Sequence, residues 1–382
     1  MFSWKREGER ALFLVSATPT PCGVEMFARG RLKSSAANGI DGVGFALNGR
    51  LGEITSLWTA LADVDALIVN FPMVAWKRTL LAPALALLSA RLRGVRTIVT
   101  LHEWADLDWR RRLVIGAYLL FAQTVLFSSP HVRAQFARSL FGWAPFATGL
   151  VPIPANIARP SQLTPTALSD RLAVEKSKGR LILGHFGSIY PRKQSSFVLD
   201  VAAELKLLRR DVFVVFIGGF VRDSGRVEAE FRARASALGL SDDVLVTGYV
   251  EKDAEIYRLF ESVDVFAYSF AEGLTSRRGS ILACLQSGRP LVVNQPGSAN
   301  EFDHHPSFRL AMAGTAIRLV PTLSTAKDFA TVINAMDLSR KPEPIALFEE
   351  SWRDAALAIR KAMSFRPAAR SVARLIGRKP TP

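Results

Sequence analysis

Residues 272–280 read Glu-Gly-Leu-Thr-Ser-Arg-Arg-Gly-Ser and follow an apolar run, Val263-Asp264-Val265-Phe266-Ala267-Tyr268-Ser269. A carboxylate, a glycine turn and two guanidiniums at the end of a strand suit a ligand that is both phosphorylated and rich in hydroxyls. Guanidiniums are permanently charged, forked donors that match phosphate oxygens, and a carboxylate accepts from hydroxyls. A helix starting directly afterwards would add its first-turn amides and its dipole, with Ser276 in position to cap it. An ordinary turn with a solvated arginine pair would carry the same residues.

A second such set lies at residues 184–194, Gly-His-Phe-Gly-Ser-Ile-Tyr-Pro-Arg-Lys-Gln. Gly187 permits close backbone approach. Arg192 and Lys193 stand just before an expected helix whose cap is Ser195 or Ser196. Cations there oppose the dipole and cost stability unless an anion joins them. Two further loops carry weaker signals. Residues 18–29 hold Gly23 near a helix entry, with Glu25 and Arg29 spaced as an i,i+4 surface pair. In Thr100-Leu101-His102-Glu103-Trp104, His102 offers a donor, an acceptor or a charge near neutral pH, or simply bonds to its own loop.

These loops need a scaffold that brings strand ends together. Short β-branched runs alternate with helical patterns along the chain, which is the mark of a parallel α/β sheet. In the first half the expected strands are residues 11–16, 42–48, 66–71, 97–101, 125–129 and 149–153. In the second half they are 181–187, 212–218, 244–250, 263–269, 291–294 and 316–320. Two doubly wound domains facing a central cleft follow, with ligands expected at the carboxyl ends of the strands. The expected boundaries are 1–155 for the first domain and 180–343 for the second. A proline-bearing linker covers 156–179, a C-terminal helix 344–365 and a basic tail 366–382.

Composition narrows the chemistry. The 382 residues are 49% hydrophobic and 22% charged, with a net charge of +15. Two distant cysteines, Cys22 and Cys284, exclude a disulfide framework and fit a reducing compartment. There is no signal peptide pattern and no uninterrupted apolar span. The excess charge calls for nucleic acid, an anionic membrane or a phosphorylated substrate. No nucleic-acid-binding signature accompanies it, so nucleic acid ranks last. From Arg360 onward there are seven Lys/Arg and no acid, interleaved with Phe365, Val372, Leu375 and Ile376. Such a tail suits an anionic membrane surface, with Arg110, Arg111, Arg112, Lys77 and Arg78 adding to the same face, or is simply a solvated terminus. No P-loop, HExxH or GxSxG motif is present. The triplets Asp63-Val64-Asp65 and Asp106-Leu107-Asp108 read as acidic turns, and His304-His305 as exposed histidines rather than metal ligands.

Taken in order, these loops resemble those of the retaining nucleotide-sugar glycosyltransferases of the GT-B fold, family 4, over nearly the whole chain to about residue 365. The resemblance implies transfer from a nucleoside-diphosphate sugar to a saccharide or lipid-linked glycan, in cell-surface polysaccharide biosynthesis, with retention and without metal or other cofactor. Such an enzyme would be cytoplasmic, or peripheral on the inner face of the membrane. The implied catalytic residues are His102, Lys193 and Glu272. The implied donor site adds Gly23, Gly187, Arg192, Gly273, Leu274, Thr275, Arg277, Arg278 and Ser280. The family's second glutamate falls on Ser280, eight residues and about two helical turns after Glu272. The arginine that often follows the lysine-loop glycine is Ser188 here, with Arg192 as a stand-in. A chain that kept the fold and binds sugar nucleotides or glycans without catalysis would share these features.

Overall fold

The computed structural model describes residues 9–18, 22–50, 52–77, 79, 81–190, 194–220, 225–340 and 342–365. Its contacts group the chain into two units. One combines Met1–Phe127, Phe136–Gly149 and Ala356–Pro382, and the other Ser128–Gln135 and Leu150–Ala355. Each unit is a six-stranded sheet wrapped by helices, the Rossmann-like architecture expected of a GT-B chain.

In the first unit the strands are β1 (Glu9–Ser16), β2 (Ile40–Leu47), β3 (Ala66–Phe71), β4 (Arg96–Leu101), β5 (Thr124–Phe127) and β6 (Ala147–Leu150), in the order β2-β1-β3-β4-β5-β6. The pairings of β1 with β2 and β3, and of β4 with β3 and β5, are parallel. Strands β3 and β5 are buried at every residue. Parallel strands covered on both faces lose the alternation of half-buried ones and read as continuous apolar runs. Strand β6 begins two residues before the expected start and stops short of Pro152 and Pro154, which have no amide to give a ladder.

The second unit holds β7 (Leu181–Phe186), β8 (Val212–Ile217), β9 (Val244–Val246), β10 (Val265–Tyr268), β11 (Leu291–Asn294) and β12 (Ile317–Val320), ordered β12-β11-β10-β7-β8-β9 with every neighbouring pair parallel. Side chains alternate between two cores. Ile182, Phe213, Val215, Ile217, Phe266 and Val293 belong to one. Leu183, Val212, Val214, Phe216, Val265 and Val292 belong to the other. Strand β9 is shorter than expected because the chain turns at Gly248, whose φ is 73°. The expected linker at 156–179 contributes Ile157 and Leu172 to the first of these cores. Its helix Ala167–Ser177 starts on a reciprocal capping box between Thr166 and Ser169.

Candidate functional site

In the second sheet the chain leaves β7 and β10, which are neighbours, toward opposite edges. That is the switch point where open α/β sheets leave a crevice at their carboxyl ends. The two strand ends are tied together. The Phe186 amide donates to Tyr268 Oη at 2.9 Å, and the Tyr268 hydroxyl donates to Phe186 O at 2.9 Å. Beyond β7, Gly187 has φ 123° and donates to Ile217 O at 3.0 Å. Gly218, at the end of β8, lies so close that a Cβ there would fall 2.3 Å from Gly187 O. Arg192 and Lys193 lie outside the described residues. Their neighbours hold to the β10 side: Ser269 Oγ donates to Gln194 Oε1 at 3.0 Å, and Tyr190 acts electrostatically on Arg278.

The loop after β10 is held by two residues about 25 positions later in the chain. Asn294 accepts from the Phe270 amide at 3.0 Å and donates back to Phe270 O at 2.6 Å. Glu301, almost fully buried, accepts from both the amide (2.9 Å) and the hydroxyl (2.8 Å) of Ser276. Burial raises the Glu301 carboxyl above its ordinary pKa, although these bonds oppose the shift. Ser276 is thus braced by Glu301 and does not cap a helix. The following helix, Gly279–Leu285, has Arg278 at its N-cap and no side-chain cap bond. Ser280 is its half-buried second residue, and residues 272–278 are turn rather than helix. The expected two-turn register between Glu272 and Ser280 is therefore absent. Gly273 takes φ 78° and packs so that a Cβ would lie 2.3 Å from Gln295 O. The Leu274 side chain enters the core and its amide donates to Asn294 O at 3.2 Å, while the buried Thr275 Oγ1 has no hydrogen-bond partner among the described residues.

Glu272, Arg277 and Arg278 come together as one cluster. Both guanidiniums donate to Glu272 Oε1, from Arg277 at 2.8 Å and from Arg278 at 2.5 Å, with all three side chains under one-fifth exposed. The Arg278 guanidinium carbon sits 4.2 Å from the centre of the Phe270 ring. Burial pushes the Glu272 carboxyl up, but the charges of Arg278 and Arg277 outweigh it and hold the pKa below the ordinary value. Burial and the like charge of Arg277 lower Arg278 below an ordinary arginine. Two guanidiniums thus share one carboxylate oxygen at a strand end, and Arg277 also acts on the buried Glu301 carboxyl. Such a cluster can receive an anion with little rearrangement, because its donors are already oriented.

In the first unit Gly23 opens the helix Gly23–Ser35, where a Cβ would meet nothing within 4 Å. Glu25 is buried rather than on the surface. Its Oε1 accepts from the Ser16 amide at 3.3 Å and from Arg29 Nε at 2.7 Å, while Arg29 Nη2 donates to Ser16 O at 2.5 Å. The pair thus fastens the helix to the end of β1. His102 follows β4, almost buried, with Nε2 3.3 Å from Asn70 Oδ1 and its ring edge-on to Phe27 of the Gly23–Ser35 helix at 4.8 Å.

Asn294, Glu301 and Phe270 were not singled out from sequence. Asn294 ends an expected strand, and a polar residue closing an apolar run is a signal that could have marked it. Nothing local marks Glu301. The residues considered for metal fall elsewhere. Asp108 caps the helix Trp109–Leu119 by accepting from the Arg111 amide at 3.0 Å. His305 is fully buried rather than exposed, with Nε2 2.9 Å from Ile153 O and Nδ1 accepting from the Phe308 amide at 3.3 Å. Among the described residues no group of three or more His, Cys, Asp or Glu is placed to hold a metal ion.

Residues 169–275, from the capped helix before β7 into the turn after β10 but short of Arg277 and Arg278, match the family model "Glycosyl transferases group 1". No curated protein matches the sequence. Solved structures similar to this chain include Anabaena Alr3699/HepE in complex with UDP-glucose, at 15% identity and TM-score 0.62, covering 93% of this chain and 98% of that one. A glycosyltransferase from Rickettsia africae aligns at 14% identity and TM-score 0.59, covering 94% and 97%. Sucrose-phosphate synthase from Thermosynechococcus elongatus aligns at 15% identity and TM-score 0.58, covering 93% and 96%. At these identities the likeness shows the fold, two Rossmann-like sheets of the GT-B kind.

Proposed function

We propose that this protein is a glycosyltransferase that takes a sugar from a nucleoside-diphosphate sugar and passes it, with retention and without a metal, to a saccharide or lipid-linked glycan in cell-surface polysaccharide synthesis. The observation that carries this reading is the Glu272-Arg277-Arg278 cluster, two oriented guanidiniums and a carboxylate at the switch point of β7 and β10. The family match covers most of the same loops, and a solved structure of like fold holds UDP-glucose.

In this reading residues 180–343 are the donor domain and residues 1–155 form the acceptor domain, joined through 156–179. The helix at 344–365 and the tail at 366–382 follow. Lys193, Arg192, Arg277 and Arg278 stabilise charge on the departing diphosphate, as preorganised cations at a developing anion do. Glu272, held ionised by the arginines, accepts from donor-sugar hydroxyls, and Ser280 meets the ribose without a carboxylate's charge. Gly187, Gly273 and Gly23 let backbone approach the ligand, Leu274 and Thr275 shape the turn, and His102 supports the oxocarbenium-like transition state. The enzyme works at the cytoplasmic face, where the basic tail adds attraction to anionic lipid.

A panel of nucleotide sugars tests this. One or more should raise the unfolding temperature at saturation, and that donor should release nucleoside diphosphate when acceptor is added. If no nucleotide sugar shifts unfolding, the donor reading falls. Binding without turnover on any glycan acceptor would favour a non-catalytic sugar-nucleotide or glycan binder, a reading that Ser280 in place of a glutamate supports.

A further inference from the structure

The helix Trp109–Leu119 carries apolar residues on its outer side as well as its inner one. Trp109 is 61% exposed, Leu113 43% and Leu120, at the C-cap, 48%, and Ala117 between them is also exposed. Steps of three and four put these residues on one stripe of about a quarter of the helix circumference. Arg110 and Arg112 fall on either flank of that stripe, and the Arg110 guanidinium carbon lies 5.4 Å from the centre of the Trp109 ring. On the inner side Ile115 and Leu119 are buried.

The turn at 139–143 extends the same surface. A Cβ on Gly116 would fall 2.2 Å from Phe141, so this turn packs directly on the middle of the helix. Phe141 and Phe136 sit edge-on to Trp104, at 6.4 and 4.8 Å between ring centres, which fixes the turn to a rigid base. On either side of Phe141, Leu140 is 76% and Trp143 75% exposed. Trp109, Leu113, Leu120, Leu140 and Trp143 thus expose apolar side chains on and beside one anchored base. From residue 109 to residue 169 the sequence has no Asp or Glu, while Arg110, Arg111, Arg112 and Arg138 lie on or beside the helix and the turn.

We propose that this face, the outer stripe of the Trp109–Leu119 helix with Leu140 and Trp143, docks on an anionic lipid bilayer. Tryptophan rings with flanking arginines match the interfacial zone of a membrane, where the ring sits at headgroup depth and the guanidinium meets lipid phosphate. The run from 109 to 169 without an acid, with Asp108 at the helix start paired to Arg111, suits a negatively charged surface. Among the described residues no helix is long and apolar enough to cross a membrane, so the contact is adsorption to one leaflet.

Sedimentation of the full chain with vesicles of phosphatidylglycerol and phosphatidylcholine tests this without donor or acceptor, so its outcome is separate from that of the transferase reading. The wild type should bind the mixed vesicles and bind pure phosphatidylcholine vesicles more weakly. The double variant W109S/W143S should lose at least about tenfold in partition, as expected when two rings no longer leave water. Arg110→Gln should cost roughly fivefold on anionic vesicles only. Both rings being exposed, unfolding temperature should stay unchanged, and W109F/W143F should still bind while losing quenching of tryptophan fluorescence by brominated lipid. A chain truncated after Ser364 should keep its dependence on the two tryptophans. Equal binding by wild type and W109S/W143S, or binding by neither, overturns the proposal. So does a change of self-association in W109S/W143S with vesicle binding intact, which would make the face a protein interface.

Discussion

The loops at the strand ends of the two sheets are built to different standards. Beyond β10 the turn is fixed from several directions: Asn294 on Phe270, Glu301 on Ser276, Gly273 against Gln295, and two arginines on Glu272. In the first unit the helix beginning at Gly23 is fastened chiefly through Glu25 and Arg29, while Gly23 itself faces open space. A loop braced by buried groups cannot accommodate a new ligand cheaply, but it presents the same donors at every encounter. Under the proposed function, the contrast would suit a donor half that recognises a constant diphosphate.

The largest effect expected from this contrast is at Glu272. Glu272→Gln keeps the shape but removes the carboxylate charge that Arg277 and Arg278 share, and kcat/KM for the nucleotide sugar should fall about 10²–10³-fold. Glu272→Asp should recover part of that. If turnover per folded molecule is unchanged and only the unfolding temperature drops, Glu272 is a brace for the arginines and not a ligand of the donor.

Gly273→Ala probes the rigid turn itself. Alanine at φ 78°, with its Cβ 2.3 Å from Gln295 O, should cost about 3 kcal/mol of stability. Urea unfolding measures this directly, and a loss below half that figure would mean the turn relaxes more easily than its packing indicates.

His305 tests whether the bracing of the second unit has an acid limit. Burial holds its pKa down to about 4 from 6.5, although the bond to Ile153 O opposes the shift. Below 6.5 the unfolded chain binds a proton that the folded one refuses, so stability is complete above that pH and falls as pH drops toward 4. The fall should amount to about 2–3 kcal/mol from this residue, with His304 adding to it in the same window. His305→Asn, which can still accept from the Phe308 amide, should flatten part of the slope between pH 6.5 and 4. An identical slope in wild type and variant would show that other groups set the acid limit.

The smallest effect is expected at Gly23. Gly23→Ala should leave stability within about 0.5 kcal/mol, because the position has ordinary φ and an empty surround. The same variant separates two roles. A normal unfolding curve with raised KM for donor would show that glycine serves ligand approach, and unchanged kinetics would show that it serves neither.

Much of the scaffold was legible in the chain because parallel strands buried on both faces advertise themselves. Val212-Phe213-Val214-Val215-Phe216-Ile217 has no polar residue to confuse the reading, and β8 spans those six residues. Edges were legible where a proline or a glycine stops the ladder, and less so where a strand ends without one, as β10 does before Ser269. Helix starts were harder. Neither Ser195 nor Ser196 caps the helix Phe197–Leu207 with its side chain, and Ser276 turned out to face Glu301.

The sequence by itself determined two parallel α/β sheets, through runs of apolar residues long enough to cover both faces, and the clustering of cations at strand ends. Tertiary structure alone decided which partners those residues take. Glu301 reaches Ser276 across 25 residues and Asn294 reaches Phe270 across 24, distances over which local spacing carries no information. The exposure of Trp109 and Leu113 belongs to the same class, since an apolar stripe on a helix faces inward or outward according to what packs on its other side. Here Phe141 against Gly116, with Ile115 and Leu119 buried on the inner side, settles the direction.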